Sequence, residues 1–537
     1  MTPGITLIAL AGLVAIVSAG YHAVHMIQLE GYRVERYLRH SWNALTPRSF
    51  VPTGIAVLTL AAGIALSVFW VPGSGFLIGI AAAVEAVVLS WRIWKRPSKK
   101  PIVLTARIYR IIAMTAVLVA ALVAVKVWAI QLIAEAMLIF PAPLYYALFA
   151  AITLLMPLLV VLALVVLEPL EASMRRGFVT KARQRLEAVN PIVIGIAGSY
   201  GKTTTKAAVA AVLSAKYKVL ATPESYNTLL GVTRTINEQL ADDTEVFIVE
   251  MGARHPGDIA EICELVHPKL GIITRLGPQH MEYFKTPETI VSAKTELARS
   301  LPADGIAIVD ADGFSAFAPP LGWAARTVRV SARAGSGAEA ILGDIAVSGE
   351  GTTFSVTRAD GSRVEATTRL LGRHAAFNSS LAVVAGLELG VDPIAIRSGL
   401  ALLAPVEHRL QVVRNDSVVV IDDAFSSNPD GFAAALEVLG SFPGRRILIT
   451  PGMIELGDQA VPAHIKIAEL AAETCSVIML VGRAYPDEFA QTIRDTGFPA
   501  DSLHLTASLD EASAILATII GPGDVVLFEN DLPDNFG

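Results

Sequence analysis

Long apolar runs dominate the first third of the chain. Five of them come close to the roughly 20 residues that a helix needs to cross a bilayer. They lie at approximately Ile5–Ile27, Thr53–Val71, Gly75–Trp91, Ile108–Ile133 and Leu144–Leu167. The pattern predicts an α-helical transmembrane bundle over residues 1–172, with about five spans and the lipid bilayer as its partner.

The pattern changes after a polar, helix-prone linker over residues 173–190. Beyond it, short β-branched runs alternate with helical sequence, which is typical of parallel strands covered by helices. Strands are predicted at Ile192–Ile196, Val246–Val249, Leu270–Thr274, Val418–Ile421, Arg446–Ile449, Val477–Val481 and Val525–Phe528. A more β-like patch covers residues 328–371. The alternation predicts two α/β domains, over residues 191–403 and 404–537.

Composition and charge divide the chain at the same place. The 537 residues are 53% hydrophobic with a mean hydropathy of +0.54, too apolar for a soluble enzyme of this size. Through Asn190 the chain carries 17 Lys and Arg against 7 Asp and Glu, so a net charge of −6 overall leaves −16 for the remainder. The acidic second half lacks a basic patch interleaved with aromatic residues, which argues against nucleic acid as a partner. Cys263 and Cys475 have neither metal-type spacing nor a paired framework, which fits a reducing compartment.

Basic residues between the apolar runs orient the predicted bundle. Lys and Arg cluster after the first, third and fifth runs and are missing from the connections after the second and fourth. The positive-inside rule then places the N-terminus outside and both α/β domains in the cytoplasm of a multi-pass plasma-membrane protein. Glu85 and Lys126 lie inside runs, where charge is costly. One interpretation is that Glu85 and Lys126 pair with each other or contact a substrate. The alternative is that Glu85 supports helix packing and that the Lys126 side chain extends to the outer face of the membrane.

A glycine-rich turn joins the first predicted strand of the α/β region to a helix. It reads Gly198-Ser199-Tyr200-Gly201-Lys202-Thr203-Thr204. Such a turn lets backbone N–H groups approach phosphate oxygens, while the lysine neutralises charge and a threonine hydroxyl ligates Mg²⁺. The general phosphate-loop pattern asks for glycine where Ile196 stands, so a plain glycine turn with an incidental lysine is the alternative. The expected ligand is a nucleoside triphosphate.

Further motifs follow in order along the chain. They are Asn227–Val232 (NTLLGV), Glu250-Met251-Gly252-Ala253, Gly277-Pro278-Gln279-His280, Ala293-Lys294-Thr295-Glu296, Gly372–Asn378 (GRHAAFN), His408-Arg409, Asp422–Asp430 (DDAFSSNPD), and Gly452–Gly457 (GMIELG) with His464. In this order the motifs resemble the Mur ligase family, the ATP-dependent enzymes that build the peptide of bacterial cell-wall precursors. The resemblance is greatest to its MurF-type branch, which adds D-alanyl-D-alanine.

The resemblance implies a P-loop central domain, a Rossmann-like C-terminal domain and a set of site residues. It implies ATP contacts at Gly198, Ser199, Gly201, Lys202, Thr203, Thr204, Asn378, Arg409, Asp423 and Asn428. It also implies two Mg²⁺ sites, one held by Thr203 and Glu250 and the second by His280. Lys202, His280 and Lys294 are the implied catalytic residues, with Lys294 carbamylated as in many members; a structural histidine and an ordinary solvated lysine are the alternatives.

Two departures from the family pattern concern the substrates. Nothing before residue 191 resembles the family's N-terminal UDP-sugar-binding domain, and the predicted spans occupy its place. Glu529-Asn530 stands where the family usually shows a Lys-Gly-Ser turn near the incoming amine. Thr295, Ala375 and His408 also replace residues that are usual in the motifs.

The implied reaction is ATP-dependent amide formation through an acyl phosphate. We expect a membrane-anchored carboxylate–amine ligase of cell-envelope synthesis, whose acceptor is lipid-linked and whose donor is an amino acid or peptide amine. One alternative is a tethered enzyme that adds D-alanyl-D-alanine to the soluble UDP-muramoyl tripeptide. Another is an ATP-driven membrane transporter or assembly factor.

Overall fold

A computed structural model describes most of the chain. The described residues are 3–35, 37–38, 74–94, 101–137, 142–223, 226–277, 284, 286–315, 322–405, 408–415, 417–424, 427–454, 456, 459–482 and 484–530. The chain divides into two compact units, Met1–Arg176 and Gly177–Gly537.

The first unit is helical. Its helices are α1 (Pro3–Leu29), α2 (Ser74–Trp94), α3 (Ala106–Met137) and α4 (Ala142–Val189), the last of which runs on into the second unit. Among the described residues, three segments are long and apolar enough to cross a bilayer: Pro3–Leu29, Ala106–Ile133 and Leu144–Val189. Three of the predicted runs are thereby confirmed as helices of spanning length. The run at Gly75–Trp91 forms α2, whose apolar part, Phe76–Val88, is shorter, and Thr53–Val71 lies outside the described residues.

Glu85 has a partner other than the predicted one. The Tyr146 hydroxyl of α4 donates a hydrogen bond to Glu85 Oε2 of α2, whereas Lys126 is exposed on α3. The Ser18 and Ser90 hydroxyls add a 2.8 Å hydrogen bond between α1 and α2. Glu85 therefore joins two helices, as the packing alternative expects.

A nine-stranded sheet forms the first part of the second unit. Its elements are β1 (Ile192–Ala197), α5 (Lys202–Leu213), β2 (Val219–Ala221), α6 (Leu229–Gln239), β3 (Val246–Glu250), α7 (Asp258–Val266), β4 (Leu270–Ile273), α8 (Pro287–Lys294), α9 (Glu296–Arg299), β5 (Ile306–Asp310), α10 (Ala311–Ser315), β6 (Arg326–Ser331), β7 (Ala340–Ser348), β8 (Gly351–Arg358), β9 (Arg363–Thr368), α11 (Arg373–Glu388) and α12 (Pro393–Leu402). The strand order is β2-β3-β1-β4-β5-β6-β7-β8-β9. Pairing is parallel from β2 to β7 and antiparallel across β7, β8 and β9, which form the predicted β-like patch.

A six-stranded sheet forms the rest of the second unit. Its elements are β10 (Gln411–Asn415), β11 (Val418–Asp423), α13 (Pro429–Gly440), β12 (Arg446–Thr450), α14 (Ala460–Thr474), β13 (Val477–Val481), α15 (Asp487–Asp495), a 3₁₀ turn (Ala500–Ser502), β14 (Leu503–Thr506), α16 (Leu509–Ile519) and β15 (Val525–Glu529). The order is β10-β11-β15-β12-β13-β14, parallel except for the antiparallel edge strand β10. The predicted parallel strands are confirmed.

Strand β1 lies inside the first sheet, between β3 and β4, and is buried on both faces. Ile194 and Ile196 pack into the core on the side of α5, and Val193 and Ala197 into the core on the side of α7. The end of α4 belongs to the second of these cores, where Ala182 is buried, so the predicted linker is helical. Because β1, β3 and β4 are parallel, the residues after their carboxyl ends meet at one edge of the sheet.

Candidate active site

The turn after β1 has a backbone that only glycine adopts easily. Gly198 has a φ of +147° and Gly201 a φ of +80°. A Cβ at Gly198 would lie 2.0 Å from Thr274 Oγ1, and one at Gly201 would lie 2.3 Å from Asn378 Oδ1. Glycine is therefore required by both backbone angle and space. The same contact places Asn378, a predicted nucleotide contact, directly against the turn.

The segment after β4 holds this turn in shape. The N–H groups of Ser199 and Tyr200 both donate to the Arg275 carbonyl, at 2.9 and 3.1 Å. The Ser199 hydroxyl donates to the Gly277 carbonyl at 3.0 Å, and the Thr274 hydroxyl donates to the Tyr200 carbonyl at 2.6 Å. Both the N–H and the hydroxyl of Ser199 thus donate to carbonyl groups of the protein. Ser199 therefore stabilises the shape of the turn.

Lys202 lies across the turn. Its Nζ donates to the carbonyls of Gly198 at 2.8 Å and Ser199 at 3.0 Å. Burial lowers the pKa of Lys202 to about 8, the Glu250 carboxylate opposes this, and the Arg409 guanidinium adds to it. The predicted Thr203 and Thr204 follow in the first turn of α5, half-buried. A cation and a helix N-terminus are thus presented together, which suits a polyphosphate.

Glu250 ends β3 as a buried carboxylate between positive groups. Asn227 Nδ2 donates to its Oε1 at 3.1 Å, and Lys206 Nζ lies 3.0 Å from its Oε2 in an ion pair without hydrogen-bond alignment. Burial favours the neutral acid, but Lys206, Lys202 and Asn227 outweigh it and hold the pKa of Glu250 below its usual value. Sequence reasoning missed Lys206; its place one helical turn after Lys202 was the available signal.

Lys294 is buried rather than solvated, so the alternative of an ordinary surface lysine is wrong. Its side chain is 1% exposed, its Nζ donates to the Ala253 carbonyl at 3.2 Å, and it lies 5.6 Å from the Phe284 ring centroid. Burial and then the charge of Lys202 lower the pKa of Lys294 to about 7, while Asp258 and Glu296 oppose them. Near neutral pH a large fraction of this amine is uncharged.

The residues fit one magnesium ion at the end of β3. Glu250 Oε2 is a buried carboxylate oxygen 3.0 Å from Lys206 Nζ, and among the described residues no donor is aligned with it for a hydrogen bond; Thr203 lies in the first turn of α5. Carboxylate and hydroxyl oxygens are the ligands that Mg²⁺ prefers. His280, the predicted holder of a second ion, lies outside the described residues. Within the part of the chain that the structure describes, no group of three or more His, Cys, Asp and Glu is placed to hold a metal.

Arg409 brings the second domain to the phosphate turn. Burial lowers the pKa of its guanidinium, while the carboxylates of Asp423 and Glu250 oppose this, and its own charge acts on Lys202. Asp423 Oδ1 accepts the Leu410 N–H at 3.1 Å. Arg409 is therefore within electrostatic range of Asp423, of Glu250 at the end of β3 and of Lys202 in the turn after β1.

Asn428 is placed differently from the other predicted contacts. Its Oδ1 accepts the Gly431 N–H at 2.9 Å, so the side chain caps α13. Asp430 lies in the first turn of α13, and burial and then its carboxylate raise the pKa of the Tyr200 hydroxyl. Arg373 Nε also contacts Glu437 Oε1 of α13 at 3.1 Å. The described contact of the Asn428 side chain is therefore that of a helix cap, and its predicted contact with the nucleotide stays a prediction.

Arg275 is a second residue that sequence reasoning missed. Its Nε lies 2.6 Å from Asp310 Oδ2, and its guanidinium carbon lies 5.5 Å from the Phe377 ring centroid. Burial raises the pKa of Asp310, although Arg275 opposes it. The arginine thus fixes the segment after β4 beside α11. Arg275 lies between β4 and the Gly277–His280 motif and is not part of that motif, so the signal for it in the sequence was only weak.

Comparison with known proteins shows that two family models match this chain and that several curated proteins are similar to it. The family models for the Mur ligase middle domain and the Mur ligase glutamate ligase domain match residues 196–386 and 408–529. UDP-N-acetylmuramoyl-tripeptide–D-alanyl-D-alanine ligase of Mycobacterium tuberculosis (strain CDC 1551 / Oshkosh) is 32% identical over 370 residues, covering 65% of this chain and 72% of the relative.

Solved structures give the same result. The MurF ligase of Thermotoga maritima in complex with ADP superimposes with a TM-score of 0.57 and 25% identity, over 66% of this chain and 80% of its own. MurF of Acinetobacter baumannii gives a TM-score of 0.57 and 26% identity, over 65% and 76%.

Proposed function

Because the chain belongs to the Mur ligase family, we propose that its second unit phosphorylates a precursor carboxylate and joins it to an amine. The family assignment makes it an ATP-dependent ligase of peptidoglycan precursor synthesis, similar to MurF. The observation that supports this reaction is the meeting of Lys202, Glu250, Lys294 and Arg409 around one glycine turn. Positive side chains from two domains at one turn suit a triphosphate and its transferring phosphoryl group.

In the proposed first step, the residues mainly neutralise charge and align the reactants. Lys202 and the N-terminus of α5 hold the terminal phosphates, and Arg409 approaches them from the second domain. Gly198 and Gly201 keep the backbone close to the phosphates, and Asn378, which lies beside Gly201, is the proposed contact to the nucleotide. A carboxylate oxygen then attacks the γ-phosphorus, the bond to the β-phosphate oxygen breaks, and ADP leaves.

Glu250 and Thr203 are the proposed holders of Mg²⁺, which supplies charge neutralisation at the phosphates. Lys206 and Asn227 keep the Glu250 carboxylate ionised and oriented. We retain His280 as the proposed residue of a second site.

Lys294 is the proposed anionic bridge. Only an uncharged amine reacts with carbon dioxide, and burial keeps Lys294 partly uncharged near neutral pH. A carbamate on Lys294 would be negatively charged, and the positive charge of the neighbouring Lys202 would stabilise it. This residue therefore fits carbamylation better than it fits a permanent ammonium.

The proposed substrates are a muramoyl tripeptide carboxylate and the amine of D-alanyl-D-alanine, which the names of the relatives specify for those proteins. Span-length apolar helices before the ligase unit favour a second candidate, in which the same tripeptide is held on a membrane lipid. In both candidates the protein is a plasma-membrane ligase with a cytoplasmic second unit.

The test uses the full-length protein in detergent with ATP and Mg²⁺. UDP-muramoyl tripeptide and its polyprenyl-diphosphate-linked counterpart are offered separately, each with D-alanyl-D-alanine, and ADP and the amide product are quantified by mass spectrometry. Amide formation matched to ADP supports the ligase, and the preferred carrier identifies the acceptor. ATP turnover that needs no amine would contradict the proposal and favour an ATP-driven transporter or assembly factor.

A further inference from the structure

Two side chains at the junction of α8 and α9 contact the same turn of the chain. Lys294 is the last residue of α8, and Glu296 is the first residue of α9. The turn joins β3 to α7 (residues 251–257, the β3–α7 turn). Lys294 Nζ donates to the Ala253 carbonyl at 3.2 Å, near the start of the turn. The Glu296 carboxylate accepts the Gly257 N–H at 2.7 Å, at the end of the turn.

Glu296 holds the point where the turn becomes α7. Its Oε1 accepts the Gly257 N–H, and its Oε2 accepts the Ala260 N–H at 3.0 Å. The N–H groups at the start of a helix have no partner within the helix, and the helix dipole favours a carboxylate beside them. Glu296 therefore fixes the end of the β3–α7 turn relative to α9.

The rest of the β3–α7 turn is held by backbone hydrogen bonds. Asp258 Oδ2 accepts the Arg254 N–H at 2.8 Å and the His255 N–H at 2.9 Å. The Gly252 N–H donates to the Asn227 carbonyl at 2.7 Å. Because these contacts brace the turn along its length, we expect a shift at its end to displace the turn as a unit.

The junction between the two helices is fixed as well. Thr295 stands there and is 1% exposed. Its hydroxyl donates to the Val291 carbonyl of α8 at 2.8 Å and accepts a hydrogen bond from Arg299 Nη2 of α9 at 2.6 Å. Lys294 and Glu296 therefore extend from one support, and the contact of Lys294 depends on where Glu296 holds the turn.

The Ala253 carbonyl suits a carbamate on Lys294 as well as an amine. In carbamylation the lone pair of the Lys294 amine forms a C–N bond to carbon dioxide, one C=O electron pair moves onto oxygen, and one N–H proton passes to water. The nitrogen keeps a single N–H. Since a carbamate is planar about its C–N bond, as a peptide group is, the direction of this N–H sets the plane of the two anionic oxygens.

We propose that Glu296 is a positioning residue, which orients the carbamate of Lys294 by holding the Ala253 carbonyl in place. This inference rests on the proposed carbamylation of Lys294 in the ligase reaction. Glu296 itself contacts neither substrate nor metal in this assignment. It acts through the β3–α7 turn, whose carbonyl accepts the one remaining N–H of the carbamate.

A double-mutant cycle separates this role from simple helix capping. Full-length protein is assayed with ATP, Mg²⁺, UDP-muramoyl tripeptide, D-alanyl-D-alanine and carbon dioxide at about pH 8, where the Lys294 amine is mainly uncharged. The kcat of amide formation is measured for wild type, Glu296→Gln, Lys294→Ala and the double variant. Acetate is present throughout, because it fits the space left by Lys294→Ala and supplies anionic oxygens without a bond to the Ala253 carbonyl.

Two further variants complete the set. Glu511→Gln is the matched control, since the Glu511 carboxylate of α16 also accepts a backbone N–H, that of Ala507 at 2.7 Å. Glu296→Asp, which keeps the charge on a shorter side chain, is carried through the same cycle in case Glu296→Gln does not fold.

We expect Glu296→Gln to lower kcat about 10-fold, as a slightly misplaced catalytic group does. The reason is that the Gln amide nitrogen faces an N–H group from which it cannot accept. In the Lys294→Ala background the same substitution should cause no further loss, because its effect acts through Lys294. Glu511→Gln should leave kcat unchanged. Losses that multiply in the double variant would overturn the inference, since Glu296 would then act on the fold alone.

The carbamate gives a second measurement that does not depend on activity. With ¹³C-labelled carbon dioxide, Glu296→Gln should keep the carbamate NMR signal of wild type but change its chemical shift or line width, because the orientation is lost and the group is not. An identical signal would overturn the inference. A wild type that forms amide without any carbamate would overturn the proposed role of Lys294 as well, and ATP turnover without amide would overturn the proposed ligase.

Discussion

At the scale of single residues, the site is defined by amines that the protein partly or fully buries. Lys206 pairs with the Glu250 carboxylate, the charge of Glu250 also acts on Lys202 at the phosphate turn, and the charge of Lys202 acts in turn on the buried Lys294. Unbalanced positive charge in a protein interior is costly, which favours binding of an anion. A triphosphate provides that anion. The lysines therefore prepare the site for its ligand at some cost in stability.

Removal of Lys202 should abolish catalysis without loss of the fold. Lys202→Ala removes the cation that lies across the turn, and ATP turnover should fall by about 100- to 1000-fold. Lys218→Ala, at an exposed lysine paired with Asp243, is the matched control and should turn over ATP normally. Turnover is followed by ADP release. Retained ligation in Lys202→Ala would refute the assignment of the phosphate turn.

Lys294 should make activity depend on carbon dioxide and pH. Because burial lowers its pKa to about 7, the uncharged amine that carbamylation needs becomes the main form as pH rises through that value. We expect bicarbonate to increase activity more at about pH 8 than at about pH 6. Lys294→Arg should lose this response. Isotope-labelled carbon dioxide followed by NMR detects the carbamate directly, and its absence from wild type at about pH 8 would contradict the assignment.

The same lowered pKa affects stability with a defined sign. The native state releases the Lys294 proton at about pH 7, whereas the unfolded chain keeps it up to about pH 10.5. Across that interval the unfolded state binds more protons, so the contribution of this group to the free energy of unfolding rises with pH.

At the scale of elements, α13 connects the second domain to the phosphate turn. Its cap is Asn428, and its residues Asp430 and Glu437 reach Tyr200 and Arg373. We therefore expect the start of this helix to influence how the second domain meets the first. Loss of the cap of α13 should therefore lower ligase activity, whereas loss of the cap of a helix elsewhere should lower only stability.

Two cap substitutions test this. Asn428→Ala and Ser508→Ala each remove a side chain that caps a helix, α13 or α16, and each should lower the free energy of unfolding by about 1 kcal/mol. Only Asn428→Ala should also lower ligase activity, and Asn428→Asp should restore it, because aspartate caps as well as asparagine. Chemical denaturation and amide formation are the two measurements. Equal activity in both alanine variants would contradict the role assigned to α13.

Elements were more predictable than the contacts between them. The strand Val477–Val481 was predicted with its observed bounds, because an apolar run between polar turns is typical of a buried strand. The three-residue strand β2 was not predicted, because Val219–Ala221 is too short to show a period. The position of β1 between β3 and β4 also depends on pairing across long crossovers, which local pattern does not encode.

In the candidate site, too, the residues were predictable from the sequence and the contacts between them were not. Motif order identified Lys202, Glu250, Lys294 and Arg409, which the structure brings together. It did not reveal the Lys206–Glu250 ion pair or the register pairing of Asp423 with Glu529, since both depend on which side chains meet after folding. The ligand roles of all these residues stay predictions.

At the scale of the whole molecule, an acidic ligase unit follows a basic apolar one. Three described helices are long and apolar enough to span a bilayer, and the basic segments predict which side holds the ligase. We propose that the bundle keeps the enzyme at the membrane where cell-wall precursors are assembled.

Cysteine labelling tests this orientation. Lys181 is exposed, and the native Cys263 and Cys475 are buried, so Lys181→Cys gives a labelling site with little background. A membrane-impermeant thiol reagent should label it in inside-out vesicles and not in right-side-out vesicles. Labelling in the opposite orientation would reverse the predicted topology, and recovery of the protein in the soluble fraction would contradict membrane anchoring.

The central claim is that the gathered lysines and Glu250 activate a carboxylate as an acyl phosphate. The most direct measurement supplies UDP-muramoyl tripeptide with heavy oxygen in its terminal carboxylate and analyses the inorganic phosphate by mass spectrometry. We expect one heavy oxygen to pass from the carboxylate to each phosphate released during amide formation. Phosphate that carries only ordinary oxygen while the amide forms would contradict it.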